Sequence, residues 1–120
     1  MPYTALDYVL WAWYVPAVPF AIGAAGVWTV AHRLMNEDPS RTAFSALAWT
    51  FATAVASVAA GLWYGIDVLY ALTSACDPSV SLVFEAWEGT QAVATSAVVA
   101  GAIPIASLAA LGWVASRRAV

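Results

Sequence analysis

Lysine is absent, cysteine and histidine occur once each, and charged residues make up only 9% of this 120-residue chain. Each scarcity closes off a class of function. With Cys76 as the sole cysteine, no internal disulfide can form and no thiolate cluster can hold a metal within one chain, so the thiol reads as an ordinary small side chain. With His32 as the sole histidine, a haem held by two histidines of the same chain is excluded. His32 is then the one candidate toward a shared haem or quinone, set against its plainer reading as a loop histidine at a span end. Four arginines and a net charge of -3 provide no basic patch of the kind that phosphate-backbone binding needs, which sets nucleic acid aside. There is also no phosphate-cradling glycine loop and no nucleophile beside a histidine base, so an autonomous hydrolase or nucleotide-binding enzyme is not expected.

Apolar residues are what the chain has in excess: 63% of it is hydrophobic, with a mean hydropathy of +0.80. A domain this small buries too little of its surface to hide that much apolar area in one soluble core. Lipid is the remaining solvent, and the expected fold is an all-α membrane protein forming a single membrane domain over residues 1–120. The N-terminal Met-Pro-Tyr-Thr-Ala-Leu-Asp lacks the basic region of a secretory signal peptide, so the first hydrophobic run is expected to persist as a helix.

Charge placement divides the chain into three spans of at least the roughly 20 residues that a bilayer core requires. The first runs from about Tyr8 to Ala31, followed by a polar loop over 32–41 in which Asp38 or Ser40 can cap the next helix and Pro39 suits its first turn. The second runs from about Thr42 to Ile66, and the third from about Gly89 to Ser116. Between them, residues 67–88 continue the apolar pattern past Asp67 on one side and Glu85 and Glu88 on the other, with Asp77 and Pro78 marking a turn. Both later helices are therefore expected to overrun the bilayer at one end as an extended helical hairpin.

Arginine placement sets an expected orientation, because basic residues near span ends stay cytoplasmic. Arg33 and Arg41 flank the first loop, while Arg117 and Arg118 follow the third span. An odd number of spans puts all four on one side, with the N-terminus outside and the C-terminus in the cytoplasm. Asp7, Asp67, Asp77, Glu85, Glu88 and all five tyrosines then fall toward the outer side. Trp11, Trp13, Trp63 and Trp87 would belong to the outer aromatic belt, and Trp28, Trp49 and Trp113 to the inner one.

Small residues at four-residue spacing mark expected helix-packing faces: Ala17, Ala21 and Ala25 in the first span; Ala52, Ala56 and Ala60, and Thr53, Ser57, Gly61 and Gly65, in the second; Ala92, Ser96 and Ala100 in the third. Gly61 and Gly65 form a literal GxxxG. These faces outnumber what three helices need for one another, which points to helices from another chain. Pro16, Pro19 and Pro104 are expected to bend their helices.

In the overlong region, Val68, Leu69, Leu72, Leu82 and Phe84 are candidate partner contacts, since exposed apolar surface marks an interaction site. Asp67 is a candidate ion or proton site because an ionisable group in an apolar context is costly. Glu85 and Glu88 share a helix face and could form a divalent-cation site with Asp77, against the plainer reading of a solvated acidic face.

These features lead to an expected role as a non-catalytic accessory or anchor subunit of a larger membrane complex, respiratory or photosynthetic by association, in a prokaryotic plasma membrane. Expected partners are membrane lipid and other membrane subunits, with no cofactor held within the chain alone. A homo-oligomeric channel or transporter lined by Asp67, Thr50, Thr53 and Ser57, or a structural protein of a virus or coat, is the alternative.

Overall fold

The computed structural model describes residues 5–36, 39–74 and 80–119. Every regular element among them is an α-helix: α1 (Ala5–Trp11), α2 (Tyr14–Asn36), α3 (Pro39–Ser74) and α4 (Val80–Ala119). Three are long and apolar enough to cross a membrane, over Tyr14–Asn36, Arg41–Thr73 and Val83–Arg118. The chain is thus an all-helical, multi-pass membrane protein by length and composition.

The first hydrophobic run is not one unbroken helix: α1 ends at Trp11 and α2 begins at Tyr14, with Ala12 and Trp13 between them. Pro16 explains the break. It has no N–H to give to the carbonyl of Ala12, four residues earlier. The N–H of Val15 donates to that carbonyl instead, at 3.0 Å, in a tighter three-residue turn. Bonds from the N–H of Ala12 to the Tyr8 carbonyl and from that of Ala17 to the Trp13 carbonyl, both 3.1 Å, bracket the irregularity. The carbonyls of Tyr8, Ala12 and Trp13 thus keep backbone partners across the break, as a segment in or near lipid favours. Pro19 and Pro104, by contrast, lie inside α2 and α4 without ending them.

Pro39 is the first residue of α3, where its missing N–H costs nothing and its fixed φ suits helix entry. Asp38, Asp77, Pro78 and Cys76 lie outside the described residues.

The three long helices run alternately up and down and pack against one another, while α1 lies against α4. Their contacts fall at three levels. At one end Ala12 and Val15 meet Val93 and Ala97, with Tyr8, Ala60 and Tyr64 around them. At the other end Val30, Ala46 and Leu108 form the centre, covered by Val27, Trp49 and Leu111. Between them Pro104 and Thr53 close on Gly23, and Ser57 closes on Gly101.

The inventory is inverted relative to a soluble bundle. Large apolar side chains such as Trp28, Phe44 and Phe51 face outward, whereas the buried positions hold mostly glycine, alanine, serine and threonine, with a few valines, Pro19, Pro104 and Leu108. This is the pattern expected where lipid is as apolar as leucine, so that close backbone approach drives helix association.

At 1.5 Å per residue, α3 is about 54 Å long and α4 about 60 Å, against about 35 Å for α2. The longest dimension of the molecule is 62 Å, twice the roughly 30 Å of a hydrocarbon core. The surplus lies at the end where α3 finishes and α4 begins, since α2 starts only at Tyr14.

Candidate functional site

Among the described residues, the alternation of the helices gathers the charges by sign. Arg33, Arg41, Arg117 and Arg118 stand at one end, here the arginine end; Asp7, Asp67, Glu85 and Glu88 stand at the other, the acidic end. Each end carries a cavity open to its surroundings.

At the acidic end, α3 and α4 enclose an apolar groove of about 450 Å³. Gly61 and Gly65 line it from α3, together with Leu62 and Leu69, and Val83 and Trp87 line it from α4. A Cβ built on either glycine would meet nothing within 4 Å. Within the chain, then, the GxxxG of α3 is not a helix crossing: it opens onto this groove. The crossings are at isolated glycines. Gly26 receives the Trp49 side chain, whose atoms would lie 2.9 Å from an added Cβ, and Gly89 receives the Tyr8 ring at 2.8 Å. Gly112 faces the Cβ of Ala46 at 3.2 Å.

The packing seam of α4 is likewise one position away from the stripe the sequence suggests. Val93, Ala97 and Gly101 are buried, while Ala92, Ser96 and Ala100 flank them half-buried. One residue is about 100° of helix rotation, and Gly89, Gly101 and Gly112 decide it, because only that face can admit Tyr8, Ser57 and Ala46. In α2 the buried positions are Val15, Pro19, Gly23, Gly26 and Val30; Ala21 and Ala25 face outward.

Among the candidate partner contacts, Val68, Leu69 and Leu72 line the groove. Phe84 is exposed outside its lining, and the side chain of Leu82 lies outside the described residues. Trp87, read from sequence only as a belt residue, is part of the groove's wall; its spacing of four from Val83 was the available signal.

Asp67 is exposed near the end of α3, and Glu85 and Glu88 are half-buried on the first turns of α4. Among the described residues no three histidine, cysteine or acidic side chains come together as a metal site; Asp77, the third proposed member, is not among them. His32 is exposed near the end of α2.

The mid-helix hydroxyls of α3 face inward. Thr53 is fully buried and Ser57 nearly so. Thr50 and Thr53 donate to the carbonyls of Ala46 and Trp49, each 2.8 Å away and one turn back on their own helix. Ser57 donates across the bundle to the carbonyl of Ala97, at 3.2 Å.

At the arginine end, the guanidinium of Arg117 lies 5.1 Å from the centre of the Trp113 ring, within cation–π range. Beside it in the bundle, a second cavity of about 470 Å³ lies between α2 and α3, lined by Arg33, Arg41, Phe44, Ser45 and Ala48. Sequence reasoning used these arginines only as topology signals and missed that two helices bring them to one cavity.

Comparison with protein-family models, curated proteins and solved structures gave no match. The reading of function therefore rests on these two ends of the bundle.

Proposed function

We propose that the chain is a non-catalytic accessory or anchor subunit of a larger membrane complex, oriented with its N-terminus outside and its C-terminus in the cytoplasm of a prokaryotic plasma membrane. The observation that carries the proposal is the groove at the acidic end, whose apolar walls converge on two glycines with open space above them. A helix laid there could approach the α3 backbone as closely as the helices of this chain approach one another elsewhere. The continuation of α3 to Ser74 and the start of α4 at Val80 support an extended hairpin that presents this groove at the outer boundary. The energy-transducing character of the assembly is proposed by association with the complexes that recruit small helical subunits.

Purification in a gentle detergent followed by native mass spectrometry tests the proposal. The expected result is the chain together with one or more different polypeptides, and loss of those polypeptides when Gly61→Leu and Gly65→Leu fill the groove. A stable homo-oligomer as the sole species overturns it in favour of a channel, transporter or coat protein. The inward facing of Thr53 and Ser57 supports the subunit reading over a pore lined by that stripe.

A further inference from the structure

We infer that the groove between α3 and α4 at the acidic end takes an amphipathic helix of a partner polypeptide, apolar on one face and flanked by lysine or arginine, docked outside the hydrocarbon core. The inference rests on the subunit reading above and names the chemistry of the partner at that same groove. Height fixes the first part of it. The cluster holding Val15, on the first turn of α2, is ringed by Ala60 and Tyr64 of α3. Trp13 and Trp63, both exposed, stand at the same level, as aromatic rings do at a membrane interface. The groove starts there, at Gly61, and continues to Leu72, about 16 Å farther along α3. Since α2 is about as long as a hydrocarbon core is thick, those walls stand beyond the core, among headgroups and water.

Apolar surface in such a place marks a contact, and the segment covering it needs one apolar and one polar face. About three turns of helix with apolar side chains at i, i+3 or i+4, and i+7 match the length of the groove. Gly61 and Gly65 let that helix come close, because a Cβ on either meets nothing within 4 Å. Charge fixes the flanks. Asp67 follows the lining residue Ile66 on α3, and Glu85 and Glu88 bracket Ala86 and Trp87 on α4. From Met1 to Ala31 and from Thr42 to Ser116 the sequence has no lysine, arginine or histidine. The side chains of those stretches therefore offer these acids no counter-charge, and Asp77 only adds to the same sign. The docked helix supplies the cations, which gives the two surfaces complementary potentials. The same charges argue against a second copy of the chain: side by side in one membrane it brings acids to acids, with its arginines at the opposite end.

The test places a photo-reactive benzoylphenylalanine at Leu69 or at Trp87 of the full chain in its native membranes and sequences the cross-linked product by mass spectrometry. The expected product is a segment of a different polypeptide, too polar to span a bilayer, with apolar residues at helical spacing and lysine or arginine beside them. Its yield is expected to fall about tenfold in an Asp67→Asn, Glu85→Gln, Glu88→Gln variant, and to fall likewise in about 1 M salt, where exposed charges are screened. Unchanged yield under both conditions would overturn the basic flanks. A cross-link to an uninterrupted apolar span of another polypeptide would overturn the inference and leave the subunit reading standing. So would lipid adducts alone from a chain that still co-purifies with different polypeptides. A second copy of the chain as the sole polypeptide product would overturn both.

Discussion

The ring of Pro104 on α4 fills the space into which a Cβ on Gly23 of α2 would project. The two residues lie at the middle level of the bundle, both buried, with the Thr53 methyl 3.2 Å from the same point. A proline ring is rigid and cannot rotate away as a flexible side chain would. Gly23→Ala is therefore expected to destabilise the folded chain by about 1–3 kcal/mol, the usual cost of overpacking. Unfolding in mixed micelles, followed by tryptophan fluorescence, measures it. In a double-mutant cycle Pro104→Ala should recover part of the loss, because the two sites share one space; strict additivity would show that the clash is relieved elsewhere.

The hydroxyl of Ser57 donates a hydrogen bond from α3 to the carbonyl of Ala97 on α4, and Gly101 leaves room for it. Ser57→Ala should cost about 0.6 kcal/mol, with roughly 1.7 kcal/mol as the upper range for such bonds in membranes. Thr29 bonds only its own helix, through the Ala25 carbonyl at 2.8 Å. Thr29→Val should change stability by less than about 0.5 kcal/mol. The same micelle titration compares the two, and equal effects would remove the inter-helix bond as the reason.

Because an added side chain at Gly61 or Gly65 meets open space, Gly61→Leu and Gly65→Leu should leave the isolated chain within about 0.5 kcal/mol of its original stability. Their effect should appear in association alone. A large loss of stability in detergent, with no partner present, would mean that the groove closes within the chain in solution.

The proposed orientation makes Cys76 reactive toward a membrane-impermeant thiol reagent applied from outside intact cells. Glu85→Cys in a Cys76→Ala background should label in the same way, while Ser116→Cys should label only after permeabilisation. The opposite pattern at both ends reverses the topology drawn from Arg33, Arg41, Arg117 and Arg118.

The three spans were legible in the sequence because charge is so scarce that its few positions punctuate the chain, and Arg33, Arg41 and Arg117 do stand near helix ends. The break at Ala12 was not. Proline at position 16 announced a disturbance, but whether a helix bends or ends depends on whether nearby N–H groups can serve the carbonyl left over, as that of Val15 does. The packing seams were less legible still. Small-residue spacing states which faces permit close approach, and in a chain rich in alanine nearly every face permits it; the large side chain that fills the gap decides. Tyr8 chooses Gly89 and Trp49 chooses Gly26, whereas no described residue chooses Gly61. The cavity at Arg33 and Arg41 needed the fold, since the two residues are brought to it by different helices.

In the proposed topology, the unequal lengths of the helices would make the molecule a gauge of membrane thickness. α2 is long enough to span a hydrocarbon core with little to spare, and in that topology the arginines would hold one end of the bundle at the interface. Any change in acyl length must then be taken up at the acidic end, where α3 and α4 run on. In thin bilayers the walls formed by Leu69 and Val83 would stand in the headgroup layer; in thick ones they would sink into hydrocarbon, where lipid competes for the same surface. On the proposed reading as a subunit, lipid composition alone would set how readily this chain takes its place in an assembly.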